Sequence, residues 1–190
     1  VSAQTEPRVP PIRDEDLAED QAAVLERFRT PNGTLNIFRT LVHSPKALKG
    51  FGSWGSYVLS QQNKVPADRR ELVILRTGLL CRSAYEWAQH VLVGRFTGLT
   101  EEEIARIKRG PDDPAWSAAD RTLLRAVDEL HADQRISDKT WQALGDDAGF
   151  DQRQKMDLVF TIGHYTMVAM MLNSFGVQLD DGLEADSDVG

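Results

Sequence analysis

From Pro66 to Gly98 the chain reads as two consecutive helices, and none of its 190 residues form a convincing series of alternating strands. Pro66 begins the first helix. Residues 68–82 are strongly apolar around Glu71 and Arg76. The second helix, about 84–97, stops at Gly98, a residue type that readily takes the left-handed conformation closing a helix.

Helix signals continue on both sides. Residues 14–29 place Leu17, Val24, Leu25 and Phe28 at helical spacing, with acids leading and arginines trailing. PNGT at 31–34 is a turn. Ser44 is an N-cap followed by Pro45, although Gly50, Gly52 and Gly55 suggest a break or a close helix contact. TEEE at 100–103 is a capping box, Ser117 opens a further helix, and Ser137 caps another. The last helix, about 151–174, sets Met156, Phe160, Gly163, Met167, Met170 and Ser174 along one side. These signals predict an all-α, single-domain protein. The expected organisation is an extended N-terminal arm over 1–13, a helical domain over 14–178, and an acidic flexible tail over 179–190.

A net charge of −7 with no basic cluster argues against nucleic acid as a partner. Cys81 is the only cysteine, so one chain holds neither a disulfide nor a redox pair. The first 20 residues lack an apolar signal core, and no run approaches the roughly 18 apolar residues of a membrane span. A cytoplasmic protein without membrane contact is the expectation.

The chemistry-bearing stretch is ELVILRTGLLCRSAYEWAQH, residues 71–90. Helical spacing puts Ser83, Glu86 and His90 on one stripe, bordered by Trp87. Glu71 sits on the preceding helix, on the side of Leu75 and Leu79. A carboxylate facing a helical core must be paired, hydrogen-bonded or protonated. Two acids and an imidazole together make a proton-transfer unit. A Glu-x-x-x-His pair also occurs on solvated faces, where it contributes only tenths of a kcal/mol. Glu71, Glu86, His90 and His164 could alternatively supply an oxygen–nitrogen metal site, but the spacing is weak and no metal is expected. His43 and His131 lie near helix ends, where capping accounts for them.

The segment RELVILRTGLLCRSAYEWAQHVLVGRFTGLTEEEIARI resembles the core of the carboxymuconolactone decarboxylase family, whose superfamily includes alkylhydroperoxidase D. The match is best over 66–110. It implies an alkylhydroperoxidase D-like helical bundle that assembles as a dimer, trimer or hexamer. The peroxidase branch carries a glutamate, a Cys-x-x-Cys pair and a histidine; the matching positions are Glu71, Ser83, Glu86 and His90. Both redox cysteines are therefore replaced. Cys81 lies two positions earlier, rotated by about 200° on an ideal helix, and is not a simple substitute.

YEWAQH is similar to the decarboxylase branch. The resemblance implies a cofactor-free lyase or isomerase with His90 as acid–base, Glu86 as its partner and Glu71 in support. The expected substrate is a small or aromatic-derived carboxylic acid or lactone. Ser83, Tyr85, Trp54 and His164 are candidate substrate contacts, with Tyr57, Trp87 and Phe38 as further wall candidates. Arg76 and Arg82 are candidate anion binders. The alternatives are peroxidase activity through Cys81 and a non-catalytic oligomeric small-molecule binder.

Overall fold

The computed structural model describes residues 6–189, and among them there are nine α-helices and no strand. The helices are α1 (Glu19–Leu25), α2 (Asn36–Leu41), α3 (Pro45–Leu59), α4 (Ala67–Leu80), α5 (Ala84–Thr97), α6 (Glu101–Ile107), α7 (Ala118–Asp133), α8 (Asp138–Asp146) and α9 (Gln152–Phe175). The all-α expectation holds.

α4 is the central element. Every residue from Arg70 to Gly78 is buried, because α5, α7 and α9 pack around it. Leu72, Val73 and Leu75 join a large core with Leu123, Leu124, Val127, Leu158 and Ile162. Ile74 belongs instead to a second cluster with Ile37, Val58, Tyr85, Tyr165 and Val168. α4 thus separates two apolar regions, and the second one bears on the candidate site.

The caps predicted at Thr100, Ser117 and Ser137 form, whereas Ser44, at the N-cap position of α3, makes no side-chain cap bond. Glu103 N donates to Thr100 Oγ1 at 3.2 Å while Thr100 N donates to Glu103 Oε2 at 2.9 Å. Ser117 and Ser137 accept from Asp120 N and Thr140 N. Gly98 closes α5 at φ 110°, a backbone conformation that disfavours any side chain. α3 is continuous despite its glycines: a Cβ at Gly52 would lie 2.4 Å from Phe28 Cζ, so this glycine is a close-contact position.

One helix expectation changes, and the two chain ends gain contacts. The single helix over 14–29 is instead a 3₁₀ turn at Asp14–Asp16, then α1, then a 3₁₀ turn at Glu26–Phe28, with extended backbone at Leu17 and Ala18. The described part of the arm, 6–13, lies along its own chain. Arg8 N and Val9 N donate to Phe175 O, and Arg39 Nη1 donates to Ile12 O. Residues 1–5 fall outside the described residues. The acidic tail is laid down over the helices: Lys108 Nζ bonds Asp186 and Asp188, and Val189 is buried in the main core. Its acids find specific cations and donors, which composition does not reveal.

α9 has the length and hydropathy to cross a membrane by composition alone, contrary to the reading of the sequence. Asp157, Thr161 and His164 on its inner side are nonetheless buried among other helices. Its methionine side faces outward: Met156, Met167 and Met170 are exposed.

Candidate active site

α4, α5 and α9 meet where Glu71, His90 and Tyr165 converge. His90 Nδ1 lies 2.6 Å from Glu71 Oε2. Glu71 is 1% exposed, so this bond is held away from competing water. With a carboxylate accepting from Nδ1–H, the His90 lone pair resides on Nε2. The ring of Tyr165 stands edge-on to His90, with centroids 4.7 Å apart, and fixes the imidazole plane.

Glu86 sits one turn before His90 on α5 and is also 1% exposed. Neither of its carboxyl oxygens has a hydrogen-bond partner. Burial without compensation pushes its pKa well above the usual carboxylate range, which favours the neutral acid. Gly78 on α4 makes room for it: a Cβ there would lie 3.1 Å from Glu86 Oε1. The acid hydrogen-bonded to His90 is therefore Glu71 across the helix pair. Glu86, the partner implied by the resemblance, is left unpaired.

Both Glu86 and His90 line a cavity of about 410 Å³, within the roughly 300–1,000 Å³ typical of small-molecule sites. Its walls are mainly apolar, from Phe28, Ile37, Phe38, Phe51, Val93 and Val168. His164 also faces it. Its ring stacks on Phe51 at 5.3 Å, and its buried Nδ1 has no partner. Burial, helped by repulsion from His90, pushes His164 down to about 4, leaving a neutral imidazole at pH 7.

Tyr85 lines the cavity, but its hydroxyl is committed to Asp180. Gln89 Nε2 donates to Asp180 Oδ2 at 2.6 Å, and Asn36 N donates to Oδ1 at 2.7 Å. Asp180, assigned from sequence to a flexible tail, thus ties α2 and α5 together beside the cavity.

The remaining candidates lie elsewhere. Ser83 is buried at the N-cap of α5 with its Oγ unpaired, and it is not among the cavity walls. Trp54 stacks on Tyr57 outside the cavity and is 41% exposed. Trp87 belongs to the main core, on the far side of α5. Arg76 forks onto Asp128 at 2.7 and 2.8 Å and donates to Ile107 O, so its guanidinium is already occupied. Arg82 is exposed and lines no part of the cavity. Cys81 ends α4 half-buried, with Sγ 3.8 Å from His131 Nδ1 and outside the cavity walls. Desolvation pushes its thiol up to about 11.

Among the described residues no group of three or more His, Cys, Asp or Glu side chains stands close enough to hold a metal ion. Reasoning from sequence missed Gln89, Val93, Tyr165 and Phe51. Gln89 and Val93 continue the Glu86–His90 face at helical spacing, a detectable signal. Tyr165 has one too, being neighbour to His164 and in phase with Val168 and Leu172.

This arrangement is that of an alkylhydroperoxidase D-like helical protein with an acid–imidazole site. The model of the carboxymuconolactone decarboxylase family matches residues 45–129, extending the similarity from α3 through most of α7, and it identifies the family of that segment. No curated protein matches the chain. Solved structures share the fold. An uncharacterized peroxidase-related protein with an alkylhydroperoxidase AhpD core, from Ralstonia eutropha JMP134, superposes with a TM-score of 0.79 at 18% identity, covering 92% of this chain and 93% of that one. An uncharacterized peroxidase-related protein from Silicibacter sp. TM1040 gives 0.77 at 15% identity, with 94% and 96% covered. The debrominase Bmp8, as a cysteine-to-alanine variant with 2,3,4-tribromopyrrole, gives 0.74 at 12% identity, with 93% and 94% covered.

Proposed function

We propose that this protein is a cofactor-free lyase or isomerase that moves protons on a small ring-derived carboxylic acid or lactone. The observation that carries this reading is the Glu71–His90 hydrogen bond, set in the wall of an apolar cavity beside the buried, unpaired Glu86. In an isomerisation, His90 Nε2 takes a proton from the carbon next to a carbonyl. The C–H electron pair forms the new C=C bond, and the carbonyl π pair moves to oxygen. That oxygen takes its proton from Glu86. Where the substrate carries a β,γ C=C bond, return of the first proton from the imidazolium to its γ carbon moves the double bond into the α,β position. The enol O–H proton returns to Glu86 and the carbonyl re-forms, completing the isomerisation. Glu71 stabilises the imidazolium formed on the way. Decarboxylation would use the same groups, with His90 protonating the carbanion left by carbon dioxide.

A thiol peroxidase reading has less support. The attacking species is a thiolate, and Cys81 is held as a thiol outside the cavity. Loss of metabolite turnover in His90→Ala, with helicity retained, tests the acid–base reading.

Self-association with a second copy of this chain is the remaining part of the proposal. Met156, Phe160, Met167 and Met170 form an exposed apolar stripe on α9, with Trp54 packed against Phe160. Gly163 lies midway, and nothing stands within 4 Å of where its Cβ would be. A two-fold axis at Gly163 would set Met156 opposite the partner copy's Met170 position, giving the self-complementary match that an isologous interface needs.

A further inference from the structure

The polar inventory of the cavity restricts the charge of what it binds. Among the described residues lining it there is no lysine and no arginine. The two candidate anion binders are excluded by position: Arg76 is locked to Asp128, and Arg82 lies outside. The buried lining atoms without a hydrogen-bond partner are the Glu86 carboxyl oxygens and His164 Nδ1; His90 Nε2 is also open, and Ser56 and Tyr165 add only neutral hydroxyls. Tyr85 and Gln89 are already spent on Asp180. A carboxylate entering this space would lose its hydration and meet no lysine or arginine in return. An apolar ring with one oxygen acceptor meets no such penalty, because Glu86 can donate to that oxygen.

Resting on the acid–base reading above, and narrowing it to its lactone and isomerisation branch, we infer that the site takes an uncharged ring lactone or cyclic ketone, its carbonyl oxygen accepting from Glu86, and that it rejects carboxylates and so any decarboxylation substrate. The family's name points to a carboxylated lactone; this cavity lacks the cation such a ligand needs. Phe28, Phe38 and Phe51 supply the flat apolar walls, and His90 stands on the same helix face one turn beyond the donor.

Calorimetric binding at pH 7 with three ring probes of similar size tests the inference directly. Phthalide is a neutral lactone, 2-(hydroxymethyl)benzoate is its ring-opened anion, and isoindoline is a cation of the same shape. Phthalide should bind at least roughly tenfold more tightly than either charged probe. Glu86→Gln keeps a hydrogen-bond donor and should hold phthalide affinity within about threefold, whereas Glu86→Ala should weaken it about fivefold or more. Equal or tighter binding of the anion or the cation, no binding of phthalide, or an unchanged Glu86→Ala overturns the inference. Binding needs no turnover, so the two readings fail separately. A His90→Ala variant that keeps both phthalide binding and metabolite turnover would contradict only the acid–base chemistry.

Discussion

Glu71 and His90 come from different helices and meet through a 2.6 Å hydrogen bond, while Glu86, one turn from His90 on the same helix, is bonded to nothing. The two carboxyls therefore have opposite tasks. In the proposed chemistry one holds the imidazole and stabilises its charged form, while the other, which burial pushes toward its protonated form, donates.

Glu71→Gln separates these tasks. An amide in place of the carboxylate can present its NH2 to Nδ1 and so favour the wrong tautomer of His90, and it no longer stabilises an imidazolium. Turnover number should fall by about 10²–10⁴-fold with KM changed little. Steady-state kinetics would show this split. A structural role alone would lower the amount of folded enzyme and leave the turnover number per folded molecule intact.

Glu86 should make stability depend on pH in an unusual direction for a carboxyl. Its pKa is raised on folding, so above the ordinary value of 4.5 the unfolded chain loses this proton while the folded chain keeps it. The folded state then binds more protons, and stability falls as pH rises. Glu86→Gln removes this term. The variant should gain in urea midpoint relative to wild type as pH rises above the ordinary carboxyl value, with the gap widening until the folded group itself ionises. Parallel profiles would contradict a neutral buried Glu86.

Arg76 should behave as a structural residue. Arg76→Leu leaves Asp128 and Ile107 O without their donor in a largely buried setting. A loss of about 2–4 kcal/mol in unfolding free energy is expected, with phthalide affinity unchanged. Weakened ligand binding by folded Arg76→Leu would restore the anion-binding role suggested by the sequence.

The helical fold was legible because its punctuation is local. Thr100 and Glu103, Gly98, and Ser117 and Ser137 act within one turn of themselves, so spacing alone reveals them. The stripe of Glu86 and His90 was legible for the same reason. Which acid meets His90 was not, since both Glu71 and Glu86 lie within reach and the choice depends on how α4 and α5 pack, with Gly78 admitting Glu86 to the gap. The Asp180 contacts were hidden too: they join residues about 90 to 140 positions apart, and an acidic C-terminal sequence carries no local sign of them. Arg76 looked available for an anion because Asp128, its partner, lies beyond two intervening helices, α5 and α6, in sequence.

The α9 stripe gives an independent prediction. Met167→Glu places a charge in the proposed contact between copies, on a side chain that is 42% exposed in the single chain. Light scattering after gel filtration should show wild type as an oligomer and the variant shifted toward monomer, with unchanged helicity. A wild-type monomer, or an oligomer indifferent to the charge, would contradict the interface.

The central claim is acid–base catalysis by His90, and an untargeted metabolite-consumption screen of wild type against His90→Ala tests it most directly. The account predicts at least one ring lactone or related carbonyl compound consumed by wild type and left untouched by the variant. Equal consumption by both proteins, or no compound consumed by wild type, would contradict it.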